Sequence, residues 1–137
     1  MKVFLDTNVV VDFCAVREPF FRDSAIIIDM ADKGIVDMVI STLSFINIAY
    51  ILRKQFPKQT VMTKLGNLMD LAEVSPIDRE MVRTAFDMQA VDFEDSIQYL
   101  SAVRESVDLI ITRDKNGFKD FPLPVLTPRQ FLDSCMR

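Results

Sequence analysis

Residues 3–8 read VFLDTN, in which three apolar residues lead directly into an acid, a hydroxyl and an amide. The apolar triplet predicts a short buried strand, and Thr7 or Asn8 is the predicted N-cap of the helix that follows. Because the strand stops on Asp6, we expect this acid to lie at the carboxyl end of a strand in a sheet, where a ligand can reach it.

Short apolar strands alternate with helical patterns along the rest of the chain. The predicted strands are residues 3–5, 35–40, 73–75, 108–112 and 125–126. The predicted helices begin near Asn8, Pro19, Leu43, Lys58, Asp78, Asp92 and Pro128, and the third is expected to run to Phe56. This alternation predicts an α/β fold, a three-layer α/β/α sandwich with a mostly parallel central sheet. No linker or repeat interrupts the pattern, so residues 1–137 are predicted to form a single domain.

The composition restricts the chemistry that the protein can perform. The 137 residues include no histidine and carry a net charge of −4. Histidine-based zinc sites, Ser-His-Asp triads and histidine general bases are therefore excluded, whereas carboxylates remain, and these suit Mg²⁺ and Mn²⁺. No apolar run approaches the roughly 18 residues that a membrane helix needs. Asp6 and Asp12 interrupt the apolar N-terminus, so we expect no membrane contact, no signal peptide and a cytoplasmic location.

Three of the predicted strands end in polar residues, at positions 5–8, 40–42 and 111–114. If these strands are parallel, their carboxyl ends meet at one edge of the sheet, which is where such proteins bind ligands. Carboxylates that stand close together repel one another, and a divalent cation relieves this repulsion. The pattern therefore favours a Mg²⁺ or Mn²⁺ site, for which the candidate acids are Asp6, Asp92, Glu94, Asp95 and Asp114.

Each of these acids also has a purely structural interpretation. Asp6 could cap the following helix, and the macrodipole favours acids such as those of residues 92–95 at a helix N-terminus. Residues 114–117 read DKNG, which is a good turn sequence. The functional interpretation depends on the expectation that all of them lie at the same edge of the sheet.

Four segments, taken together and in this order, resemble the PIN domain family, a metal-dependent nuclease fold that includes toxin ribonucleases of the VapC type. They are Phe4–Asn8, Ile40–Ser44, Asp92–Asp95 and Ile111–Asp114. The resemblance spans nearly the whole chain and implies a parallel sheet between helices, with three or four acids that hold Mg²⁺ or Mn²⁺ and cleave single-stranded RNA. It implies metal-binding and catalytic roles for Asp6, Asp95 and Asp114, additional ligands in Asp92 and Glu94, and supporting roles for Thr112 and Asn8.

One position departs from the family pattern. The family often has a glutamate early in the third helix, and Asn47 occupies that position here. Asparagine can orient a ligand or a water molecule but carries no charge, so metal affinity should fall and a second metal is disfavoured. This substitution leaves an alternative open, a non-catalytic RNA- or protein-binding module that keeps the fold. A phosphatase with Asp6 as nucleophile is disfavoured, because its usual second aspartate is replaced by Asn8.

Basic residues provide candidate substrate contacts. No acid occurs between Asp37 and Asp70, a segment that includes Arg53 and Lys54. These cations could lie on solvated helix faces or border a groove for RNA. Arg113 and Lys115 lie beside a candidate site acid and are predicted to hold substrate phosphates. The resemblance further implies a small antitoxin protein as a partner, and a homodimer.

Overall fold

The structure is a computed structural model that describes residues 1–136. The strands are β1 (Lys2–Leu5), β2 (Asp37–Ser41), β3 (Ala72–Ser75), β4 (Leu109–Ile111) and β5 (Val125–Leu126). The helices are α1 (Thr7–Cys14), α2 (Phe21–Asp32), α3 (Thr42–Leu52), α4 (Lys58–Leu71), α5 (Arg79–Met88), α6 (Phe93–Arg104) and α7 (Pro128–Cys135). A short 3₁₀ segment, Lys115–Phe118, follows β4. Within residues 1–136, no helix has both the length and the apolar character that crossing a lipid bilayer requires.

The five strands form one parallel sheet in the order β3–β2–β1–β4–β5. The chain proceeds from β1 outward to β2 and β3, and then returns to the other side of β1 to form β4 and β5. A reversal of this kind opens a crevice at the carboxyl ends of the two strands between which it occurs. Asp6 directly follows β1 and Thr112 directly follows β4. The topology therefore brings two of the predicted site residues to the switch point.

The apolar residues of β1 are buried on both faces of the sheet. Val3 and Leu5 belong to the larger core cluster, which also contains side chains of α1, α2, α3, α4 and α7. Phe4 belongs to a second cluster on the opposite face, together with Ala102 of α6 and Phe118 of the 3₁₀ segment. Strands buried on both faces require helices on both sides. The predicted three-layer α/β/α sandwich with a parallel central sheet is thus confirmed.

Two predicted helix boundaries were wrong. Asp6, and not Thr7 or Asn8, caps α1, because its backbone is extended (φ −69°, ψ 157°) and its side chain accepts a hydrogen bond from the Thr7 backbone N–H. The third helix ends at Leu52 and not at Phe56. The residues before the proline at position 57 form turns, since a residue that precedes proline is disfavoured in the helical region.

Candidate metal centre

Asp6 is held at the carboxyl end of β1 by hydrogen bonds from several elements. Its backbone N–H donates to the Ile111 carbonyl at 3.0 Å, which links it to β4. Its Oδ1 accepts from the Thr7 N–H at 2.9 Å, and its Oδ2 accepts from Thr112 Oγ at 2.8 Å. The residue is only 7% exposed. The carboxylate is therefore fixed in place at the floor of the crevice.

Asn8 and Thr112 form hydrogen bonds that link the segment around Asp6 to the segment around Asp114. Asn8 Nδ2 donates to Thr112 Oγ at 3.2 Å, and Asn8 Oδ1 accepts from the Arg113 N–H at 3.2 Å. Thr112 Oγ also accepts from the Asp114 N–H at 3.1 Å. The two side chains thereby join the end of β1 to the segment that follows β4 and that carries Asp114.

The acids of α6 lie beside the same edge. Asp92 caps the helix and accepts from the Asp95 N–H at 3.0 Å. Partial burial raises the pKa of Asp95 from 3.8 to about 7, and the neighbouring negative charges of Asp6, Asp92, Asp114 and Glu94 contribute in that order. The pKa of Glu94 is also raised, first by burial and then by Asp6 and Asp92. The other four acids predicted from the sequence therefore all lie near enough to Asp95 to raise its pKa.

Asn47 contacts one of these acids. Its Nδ2 donates to Glu94 Oε1 at 3.0 Å, which opposes the rise in the pKa of Glu94. The amide at the first turns of α3 thus stands directly beside a carboxylate supplied by α6. The carboxylate of Glu94 therefore lies beside Asn47, the position at which the family often has a glutamate.

The acid cluster has no cationic partner among residues 1–136. In the described part of the chain, none of the six ion pairs includes any of its five members, Asp6, Asp92, Glu94, Asp95 and Asp114. Within residues 1–136 there is also no group of three or more acidic, cysteine or histidine side chains close enough to hold one metal ion. The other four carboxylates are nevertheless near enough to Asp95 to raise its pKa, because electrostatic interactions act over longer distances than metal ligation. Within residues 1–136, no three of the five are close enough to bind one metal ion together.

The donor set nevertheless suits a hydrated divalent cation. Mg²⁺ characteristically binds through one or two carboxylates and keeps several of its waters, so a cage of three protein acids is not required. Oxygen donors also match the preference of Mg²⁺ and Mn²⁺. The uncompensated charge around Asp95 is the observation that a bound cation would account for.

Gln98 of α6 is a site residue that the sequence interpretation missed. It is completely buried, and its Nε2 donates to Asp6 Oδ1 at 3.0 Å and to Ser44 Oγ at 2.8 Å. Its Oε1 accepts from the Ser41 hydroxyl, and Ser41 caps α3. Gln98 thus connects α6 and the start of α3 to the carboxylate of Asp6. Gln98, Ser101 and Ala102 lie on one buried helix face, but because two of the three are polar, no hydrophobic periodicity in the sequence reveals it.

The predicted basic contacts are distributed differently. Arg113 donates through Nε and a terminal nitrogen to the carboxylate of Asp12, which is fully buried, and its guanidinium lies 4.0 Å from the centre of the Phe20 ring. Lys115 Nζ donates to Gln130 Oε1 at 3.1 Å. Arg113 therefore already has a counter-charge, whereas Lys115 has a neutral partner.

Arg53 and Lys54 lie at the far end of α3. Both cations approach the ring of Tyr50, at 3.9 Å and 5.3 Å from its centre. The helix begins at the acid cluster and is 11 residues long, which corresponds to roughly 16 Å. The structure does not bring these two cations together with the acids.

The sequence matches the family model of the PIN domain over residues 2–116. The chain belongs to the PIN domain family. A curated relative, Ribonuclease VapC1 of Aquifex aeolicus (strain VF5), is 30% identical over 96% of this chain and 94% of its own length. The family membership predicted from the four sequence segments is thus confirmed.

Solved structures of PIN proteins share the fold. VapBC2 from Rickettsia felis, bound to a DNA fragment from its promoter, superposes with a TM-score of 0.64 at 18% identity, over 92% of this chain and 97% of the other. A toxin–antitoxin complex from Klebsiella pneumoniae gives a TM-score of 0.66 at 19% identity, with the same two coverages. At these identities the comparisons establish the PIN fold.

The raised pKa of Asp95 predicts how the stability of the metal-free protein depends on pH. Between pH 3.8 and about 7 the folded state keeps a proton that the unfolded state has released, so the free energy of unfolding should fall as the pH rises through this range. Asp95→Asn should reduce this fall and stabilise the protein at pH 8. Urea denaturation in EDTA at pH 5 and pH 8 measures both effects.

The control for this measurement is Asp37→Asn, an exposed acid at the opposite edge of the sheet. It should leave the pH dependence unchanged. Equal pH slopes for the wild type and Asp95→Asn would contradict the proposed electrostatic origin.

Gln98 provides a second prediction. Gln98→Leu removes the donor to Asp6 and leaves the Ser41 hydroxyl, as a donor, with only its longer hydrogen bond to Ser44 Oγ at 3.2 Å, so it should lower the free energy of unfolding by about 2–3 kcal/mol. Gln59→Leu, at an exposed position of α4, should change it by less than about 0.5 kcal/mol. Urea denaturation measures the free energy of unfolding of both variants. Equal losses for Gln98→Leu and Gln59→Leu would show that the hydrogen bonds of Gln98 do not stabilise the fold.

Proposed function

We propose that residues 1–137 form a single PIN nuclease domain that hydrolyses phosphodiester bonds in single-stranded RNA with the help of Mg²⁺ or Mn²⁺. The observation that carries this proposal is the group of five acids near the switch point, which have no ion-pair partner within residues 1–136 and of which Asp95 has a pKa of about 7. The curated relative that is 30% identical is named a ribonuclease, which supports the reaction class.

Asp6, Asp95 and Asp114 would hold the ion, one or two of them directly and the rest through its bound waters, and Asp92 and Glu94 would add negative charge around it. A bound divalent ion would stabilise charge on the phosphate and lower the pKa of water. Asn8 Nδ2 donates a long hydrogen bond to Asp6 Oδ2 at 3.4 Å, and with Thr112 and Gln98 it would orient the Asp6 carboxylate. Because Asp95 must be ionised to bind a cation, affinity for the metal should increase as the pH rises past about 7.

Asn47 and Glu94 together would replace the glutamate that the family often has in this helix. The hydrogen bond between them places a carboxylate beside the amide, and Glu94 is exposed enough to reach solvent or a ligand. Asn47 would thus orient Glu94 rather than bind the ion through a charge of its own.

Substrate binding would depend on few cations. Lys115 adjoins Asp114 and has only a neutral partner, so it is the better candidate for a phosphate contact. Asp12 neutralises the charge of Arg113. This side chain would therefore contribute by packing on the ring of Phe20 rather than by binding a phosphate. Arg53 and Lys54 would contact only RNA that extends along α3.

A toxin–antitoxin pair is the proposed biological setting. The fold is shared with proteins of VapBC2 and of a toxin–antitoxin complex, over more than nine-tenths of this chain. A small antitoxin protein would be the partner, a homodimer is the proposed assembly, and the site of action would be the cytoplasm. A short neighbouring reading frame that encodes a DNA-binding protein would support this setting.

The alternative is a PIN-fold binding module without catalysis. It is favoured by the uncharged Asn47 and by the lack, within residues 1–136, of three acids close enough to hold one ion. Titration calorimetry with Mn²⁺ separates the two functions, because no binding at millimolar metal would support the alternative.

The nuclease proposal predicts metal-dependent cleavage. The purified protein should cut single-stranded RNA in Mg²⁺ or Mn²⁺ and leave duplex RNA and single-stranded DNA intact. Asp95→Asn should abolish cleavage, since it removes a carboxylate from the centre of the cluster, whereas Asp37→Asn should retain it. Gel analysis of labelled oligonucleotides measures the products, and robust cleavage in excess EDTA would contradict the proposal.

A further inference from the structure

Gly117 lies against the carboxylate of Asp95. It belongs to the 3₁₀ segment that follows Asp114, and a Cβ atom built on its backbone would lie 1.9 Å from Asp95 Oδ2 and 2.9 Å from Asp95 Cγ. A Cβ atom cannot approach a non-bonded oxygen at 1.9 Å or a non-bonded carbon at 2.9 Å. The carboxylate therefore occupies the volume that any other residue at position 117 would fill with its side chain.

The backbone conformation does not explain this glycine. Its φ angle lies outside the left-handed region, whereas Gly34, which ends α2, has φ +73°. A residue with a side chain could adopt the backbone of Gly117 without strain. The requirement for glycine is thus one of space beside Asp95 and not one of turn geometry.

The segments on both sides of this contact are anchored. Phe118 is 1% exposed and packs in the core cluster that contains Phe4 and Ile110. On the other side, Ile97 and Gln98 of α6 are buried, and Gln98 is hydrogen-bonded to Asp6. Neither backbone can withdraw without disturbing packed side chains, so the mobile part of the contact is the Asp95 carboxylate.

We propose that Gly117 is a positioning residue, whose missing side chain allows the Asp95 carboxylate to face Asp6 and Asp114. The inference rests on the proposed function, because it assigns Asp95 a metal-binding role. A side chain at position 117 would turn the carboxylate out of the cluster while leaving the fold intact. One short segment thus determines the positions of two acids, Asp114 by the chain itself and Asp95 by contact.

The test compares Gly117→Ala with Gly66→Ala. Gly66 lies in α4, and a Cβ there meets nothing within 4 Å, so it is a matched control. Gly117→Ala should bind Mn²⁺ about 10- to 100-fold more weakly in titration calorimetry, the range typical for residues that orient metal ligands. Its circular dichroism spectrum should equal that of the wild type, and its crystal structure should show Asp95 in a different rotamer. Gly66→Ala should bind Mn²⁺ like the wild type.

A double-mutant cycle with Asp95→Ala tests the contact independently of metal binding. The Cβ built at position 117 lies 3.7 Å from Asp95 Cβ, an ordinary van der Waals distance, so alanine fits at both positions together. Any loss of thermal stability caused by Gly117→Ala should disappear in the Asp95→Ala background.

Two outcomes would overturn the proposal. One is a Gly117→Ala variant with wild-type Mn²⁺ affinity and Asp95 in its original position. The other is a loss of stability of the same size with and without the Asp95 carboxylate, which would make Gly117 a folding residue. If the wild type binds no Mn²⁺, the proposed function fails, whereas the rotamer of Asp95 and the stability cycle still decide the role of Gly117.

Discussion

The hydrogen bonds that fix the Asp6 carboxylate at the ends of β1 and β4 are the constraint on which the site depends. Thr7, Thr112 and Gln98 donate to it from the start of α1, the segment after β4 and the middle of α6. A buried carboxylate needs such donors, because desolvation otherwise penalises its charged form. By satisfying Asp6, the chain also fixes the relative positions of the two segments that carry the other four acids, the segment after β4 and α6.

Asp95 has the opposite environment. Partial burial and four neighbouring carboxylates raise its pKa, and within residues 1–136 no lysine or arginine forms an ion pair with it. Charge repulsion of this kind costs stability in the metal-free protein, which is typical of sites that are built to bind an ion. The two carboxylates therefore differ in their environment. Asp6 is held by hydrogen-bond donors, whereas the charge of Asp95 has no ion-pair partner within residues 1–136.

The cations are arranged to leave this negative charge in place. Arg113, which follows Thr112 just after β4, pairs with the buried Asp12 and stacks on Phe20. A basic side chain that was free to reach Asp95 would compete with a metal ion for the same carboxylate. For a protein of net charge −4 with the proposed nuclease function, attraction of RNA would depend on a bound ion and on a few local cations more than on overall charge.

The sequence by itself determined the layers, the parallel sheet and the family, because these follow from local patterns: apolar triplets, strand ends and capping residues. It also selected Asp6 and Asp114 as candidate site acids, since a parallel sheet brings the carboxyl ends of its strands together. It did not determine the helix face formed by Gln98, because a buried polar face has no hydrophobic periodicity. Only the tertiary structure decided that Arg113 pairs with Asp12, that Asn47 meets Glu94, and that Gly117 provides space for Asp95. These contacts join residues between 22 and 101 positions apart, and their partners are selected by packing, which no local sequence pattern encodes.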